Sequence, residues 1–230
     1  MVHRGGVNAG KKLQPIDFRL IISMIAPPLI AQSHGEDGSL RDYSMTEART
    51  SDWAADVLRF WFEELQPTQW FTKDPRLDEC IWTRFLGVHE RVMAAPDSDL
   101  LIEPRTALAA VIALDQFPRN MFRGAARAFA TDAKALALAV EAVARDYDAG
   151  LSHNERLFLY LPFEHAEDPA MQARSVALFR ALGNAEQTKY AEAHKAIIEL
   201  FGRFPHRNAI LGRCSTPAEE AFLKEPGSHF

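Results

Sequence analysis

Four arginines and three histidines lie near the ends of apolar helical patterns, or on their inward-facing positions, where side chains of neighbouring helices can share a space. Arg203, His206, Arg207, Asn208 and Arg213 are compressed into residues 201–213, a turn fenced by aromatic and aliphatic side chains. A shorter cousin, Asp115-Gln116-Phe117-Pro118-Arg119-Asn120, follows an earlier apolar helix. A guanidinium is a planar fork of donors that matches a carboxylate or phosphate bidentately. If the two turns converge, Arg119 and Arg207 brace one groove and the local field is positive although the chain is acidic overall. A small anion or an acidic peptide end is the partner such a groove takes. The alternative is internal: Asp115, Glu164, Glu167, Glu219 and Glu220 are at hand to neutralise the arginines and lock the helices together.

Proton transfer is the second chemistry on offer. Glu164-His165-Ala166-Glu167-Asp168 follows an apolar helix, and His194 shares the inward face of a later one with Tyr190, Ile197, Ile198 and Phe201. An imidazole titrating near about 6.5 moves protons when a carboxylate orients it. His165 or His194, with Glu164 or Glu167 beside it, is therefore the candidate acid–base pair; plain structural hydrogen bonding is the competing role for both histidines. Asp115 shares a helical stripe with Leu108, Val111 and Ile112, so it needs a partner if buried. Arg119 and Arg123, one and two turns onward, are in reach, either as structural ion pairs or with Arg119 held so as to face a ligand. No His-Glu-x-x-His, no paired cysteines, no glycine-rich phosphate loop and no nucleophile elbow are present, so neither metal nor cofactor is expected.

These groups need helices to position them. Trp53, Val57, Phe60 and Trp61 recur at helical spacing up to Pro67. Asp74-Pro75 is an N-cap followed by a first-turn proline, opening a helix that carries Leu77, Ile81, Phe85, Val88 and Val92. A third helix runs from near Pro104 into the first polar turn, and a fourth from about Asp132 to Tyr147. Ser152-His153-Asn154-Glu155 is a capping box before the helix of Leu157, Phe158, Leu161 and Phe163. Asp168-Pro169 opens the next, with Met171, Val176, Phe179 and Leu182; another starts near Glu186. Thr216-Pro217-Ala218-Glu219 caps a short terminal helix. Pro118 and Pro205 are expected to end the helices before them, because proline lacks the donor and restricts its predecessor. No stretch alternates at period two, so the fold class is all-α. Alanines beside the large residues favour a curved stack of antiparallel helix pairs over a compact bundle, although no strict tetratricopeptide period is present.

The composition narrows the partners. With 47% hydrophobic residues, 25% charged and a formal net charge of -5, the 230-residue chain is not drawn electrostatically to nucleic acid or to an anionic membrane. Cys80 and Cys214 are in no redox or zinc spacing and read as free thiols, Cys80 towards the core and Cys214 more exposed, which points to a cytoplasmic protein. Residues 1–44 differ from the rest. Their apolar run at 20–31 is split by Pro27-Pro28 and is too short to span a bilayer. They read as a disordered extension, a poor targeting segment, or sequence upstream of a start at Met45, leaving 45–230 as a single all-α domain.

Several motifs in order resemble the DUF924 family: Asp115-Gln116-Phe117-Pro118-Arg119-Asn120, Phe129-Ala130-Thr131-Asp132, the run 159–168 around Glu164-His165, Phe201-Gly202-Arg203-Phe204-Pro205-His206-Arg207-Asn208, and the run 211–220. The resemblance covers roughly residues 50–230. It implies a tetratricopeptide-like α/α superhelix and brings no activity with it. The matched positions include Arg119, Asn120, Asp132, His165, Glu167, Asp168, His194, Arg203, His206, Arg207, Asn208 and Arg213. Ala166 stands where the family motif often has Ser or Thr, which weighs against a role for a hydroxyl there.

Overall fold

In the computed structural model, which describes residues 52–226 and 228, the chain is built from helices and turns, and no strand occurs among the described residues. What the sequence leads one to expect of residues 1–44 and of a start at Met45 concerns residues outside this range. The first helix, α1 (Trp53–Arg59), starts on the Asp52 carboxylate, which accepts from the Ala55 N–H, and passes unbroken into a π turn at Phe60–Glu64. The helix ends at the extended Leu65, and the Trp61 carbonyl, one of its last, accepts from the Trp70 indole N–H at 2.8 Å. Asp74 caps α2 (Pro75–Ala94), as its sequence requires. The buried stripe of α2 is Leu77, Ile81, Phe85, His89 and Val92. Val88 is only half-buried; His89 takes the inner place because its Nδ1 meets the Ala113 carbonyl at 2.9 Å.

After the short α3 (Asp97–Leu100), α4 (Pro104–Val111) runs into a second π turn, Ile112–Gln116, and then α5 (Phe117–Met121). Every residue from 106 to 118 is buried. Phe117 anchors the centre, with ring centroids 4.8 Å from Phe85, 5.7 Å from Trp61 and 6.2 Å from Phe60. Pro118 does not end this segment. It lies in the first turn of α5, a position that tolerates proline. The carbonyl four residues back, on Leu114, accepts from the Thr131 hydroxyl at 2.6 Å.

The second half stacks in sequence. Helices α6 (Asp132–Ala144), α7 (His153–His165), α8 (Pro169–Leu182) and α9 (Ala185–Phe201) each pack on the next, and α4 packs on α6. Alanines 135, 139 and 142 are fully buried on α6, so backbones approach closely there. The Ser152–Glu155 capping box opens α7 and Asp168 caps α8, as read from the sequence. Gly183, at φ 85°, closes α8; after Asn184 the chain enters α9. Pro205 is not what terminates α9. Gly202 does so in the left-handed conformation at φ 72°, and Pro205 opens a 3-10 turn, Pro205–Arg207. The Thr216–Glu219 capping box starts α10 (Pro217–Phe222), whose Phe222 packs with Ile197, Ile198 and Phe204. Among the described residues no helix is long and apolar enough to cross a membrane.

Candidate functional site

Asp115 lies in the second π turn and is completely buried. The turn carries one more residue than an α-helical turn and re-aims the side chains that follow it. Asp115 Oδ1 accepts from His165 Nδ1 at 2.8 Å, and Oδ2 from Gln116 Nε2 at 2.5 Å. Arg119 Nη1 stands 3.3 Å from Oδ1 and donates to the Asp115 carbonyl at 2.5 Å. Burial alone would push this carboxyl up; Arg119, then His165 and Gln116, outweigh it and hold Asp115 well below the usual carboxylate range.

The same Arg119 reaches across to the first residue of α6, donating to both oxygens of Asp132 at 2.9 and 3.0 Å. Arg207, from the later turn, donates to Asp132 Oδ2 at 3.3 Å. The two guanidinium carbons lie 5.7 and 4.7 Å from the Phe129 ring centroid, and Arg207 also lies 4.7 Å from that of Phe204. The two Phe-Pro turns therefore meet, on one carboxylate and one aromatic ring. Arg123 does not join them: it pairs with Asp78 at 2.7 and 2.8 Å, together with Asn120. Asn120 is thus turned away from the arginine cluster.

The histidines keep different company from what adjacency suggests. His165 is oriented by Asp115, not by Glu164 or Glu167. Neighbours on a helix point about 100° apart, so Glu164 faces α9, where its Oε1 is 3.3 Å from His194 Nδ1. His194 Nδ1 also meets the Tyr190 carbonyl at 2.9 Å. Burial, and then the charge of Asp115, push the Glu164 carboxyl up to about 8, so it is protonated at neutral pH. Burial likewise drives His194 down to about 3 and leaves it neutral. His165 is lowered too, by burial and by Arg119, against the opposing pull of Asp115.

Glu167 accepts from Arg213 at 2.6 and 2.9 Å and from the Phe204 N–H at 2.8 Å, tying the end of α7 to the C-terminal turn. Arg203 is held by both oxygens of Glu219 and by the Cys214 carbonyl. Asn208 meets Ser215 Oγ at 3.0 Å, and His206 lies against Phe204, ring centroids 5.7 Å apart. Asp115, Asp132, Glu167 and Glu219 thus each take an arginine, so the cluster is not a pool of free positive charge. What it retains is unfilled donors. Arg207 is 7% exposed, has one carboxylate contact, and its Nε is buried without a hydrogen-bond partner. Burial, with Arg119 nearby, lowers its pKa to about 10 against the partial support of Asp132.

Asp132 and Phe129 are central residues that the sequence reading did not place in the site. An acid in the first turn of a helix reads as a partner of the helix dipole, and Phe129 reads as core. Only their positions in the family motif set them apart. A groove of about 440 Å³ between α8 and α9, lined by Ala173, Val176, Ala177, Arg180, Glu192 and Lys195, includes none of these residues. Among the described residues no three His, Cys, Asp or Glu side chains are grouped to hold a metal ion. Cys80 is half-buried and Cys214 exposed, both as free thiols.

A family model described as a bacterial protein of unknown function, DUF924, matches residues 57–227. A solved structure of a protein of unknown function, ATU0120 from Agrobacterium tumefaciens, is similar at 43% identity and a TM-score of 0.71; the match covers 74% of this chain and 96% of that one. No curated protein matches the chain.

Proposed function

The chain belongs to the DUF924 family, and we propose that it is a binding module whose two arginine-bearing turns receive a small carboxylate or phosphate. The observation that carries this reading is Arg207: a buried guanidinium with a single carboxylate contact and a buried Nε that donates to nothing. A buried cation with idle donors is a cost to the fold, and an anion placed on them relieves it. Arg119 and Phe129 supply the adjoining wall, and Asp132 keeps the two guanidiniums in register. The stacked helix pairs, in this proposal a tetratricopeptide-like superhelix, give the site rigid walls; the free thiols go with a cytoplasmic location.

Calorimetry with phosphate, succinate and a short acidic peptide tests the proposal. Saturable binding of a small anion is expected, weakened about tenfold or more in a folded Arg207→Ala protein, a loss of about 1.4 kcal/mol or greater. No binding to the parent protein, or unchanged affinity in the variant, overturns it. Binding of the peptide alone transfers the site to a protein partner.

A further inference from the structure

Resting on that anion site, we infer that His165 is a catalytic general base, so that the bound anion is a substrate. The geometry is that of an oriented imidazole. Nδ1 is committed to Asp115 Oδ1 at 2.8 Å, and Asp115 is itself held by Gln116 and Arg119, so the ring has little freedom to turn. A carboxylate on Nδ1 accepts its N–H and leaves the lone pair on Nε2. Nε2 has no hydrogen-bond partner among the described residues, and the side chain retains 16% exposure at the end of α7. A histidine needed only to satisfy Asp115 would do so equally well with its other edge packed. The contacts run unbroken from His165 through Asp115, Arg119 and Asp132 to Arg207. The base and the unfilled guanidinium therefore belong to one network.

The step is a proton transfer. An O–H or C–H bond of the bound molecule, or of a water held against it, breaks; the proton moves to Nε2 and the electron pair stays on oxygen or carbon. Asp115 remains ionised and stabilises the imidazolium, while Arg207 faces the negative charge that develops. The imidazolium then returns its proton to the leaving group or to the product carbon. The substrate class is a small organic anion with a carboxylate or phosphate for Arg207 and either an acidic C–H or a hydrolysable ester.

Two probe reactions cover the two proton sources. Exchange of the C3 hydrogens of 2-oxoglutarate in heavy water reads the carbon case. Hydrolysis of 4-nitrophenyl succinate and 4-nitrophenyl phosphate reads the water case: hydroxide adds at the acyl carbon or phosphorus, the ester C–O or P–O bond breaks, and nitrophenolate leaves with the pair. At least one probe that the protein binds should react, with the rate falling roughly 10²- to 10⁴-fold in His165→Gln at unchanged affinity. Binding without reaction, or a rate that survives His165→Gln, overturns the inference and leaves the anion site standing. Absence of binding removes the anion site itself. Nitrogen NMR of the parent protein gives a check that needs neither variant nor ligand. At neutral pH His165 should be the neutral tautomer with hydrogen on Nδ1, and hydrogen on Nε2 instead would contradict the base.

Discussion

Glu164→Gln isolates one buried group and gives the structure a quantitative test. The Glu164 carboxyl is held at about 8 against an ordinary 4.5, first by burial and then by the charge of Asp115. Below pH 4.5 both the folded and the unfolded chain carry the proton. From there to about 8 only the folded chain keeps it, so stability falls as pH rises, by about 1.4 kcal/mol per unit and at most about 5 kcal/mol over the gap. His194 has the opposite sign. Its folded value near 3 lies below 6.5, so its contribution is present above 6.5 and is lost as pH falls. The clean window for Glu164 is therefore from 6.5 to about 8, where the parent protein should lose about 2 kcal/mol that the glutamine variant does not. For a domain of this size that is a change of roughly 4–8 °C in the difference between the two melting temperatures. Thermal unfolding followed by circular dichroism across that window provides the measurement. Parallel pH profiles for the two proteins would refute the claim that Glu164 is protonated in the fold.

Three further substitutions probe the supports of the site. Thr131→Val leaves the buried Leu114 carbonyl without the hydroxyl that makes the Pro118 turn tolerable, and should cost about 1–3 kcal/mol in denaturant unfolding. Glu167→Gln removes the charge opposite Arg213 while keeping an acceptor for Phe204; with both side chains a quarter exposed, a loss of about 1 kcal/mol is expected, fading with added salt. Ser152→Ala breaks the capping box of α7 far from the arginines and should lower stability by about 1 kcal/mol while leaving anion affinity unchanged.

The helices were readable wherever the chain carries local punctuation. Asp74, Ser152, Asp168 and Thr216 accept from the backbone N–H groups their positions demand, because a cap acts within three residues of itself. The π turns were not readable, since adding one residue to a turn leaves the apolar pattern almost unchanged. Pro118 therefore reads as a terminator in the sequence, although Thr131, thirteen residues on, donates to the carbonyl four residues before it. The arginines and histidines could be picked out by type, but their pairings could not. His165 finds Asp115 across fifty positions of sequence and Arg207 finds Asp132 across seventy-five, distances that only packing closes. Adjacency suggested Glu164 for His165, and helical rotation sends Glu164 to His194 instead.

The central claim is that an anion completes Arg207 between the two turns, and it is tested most directly by watching that guanidinium during a titration. Arginine side-chain NMR of the protein with increasing succinate or phosphate resolves Nε–H groups individually. The Arg207 signal should shift to saturation and become protected from solvent exchange, with a smaller movement at Arg119 and none at Arg59, an exposed arginine of α1 paired with Asp56. An Arg207 signal that stays in place while either anion is taken up elsewhere, or while neither binds at all, would contradict the account.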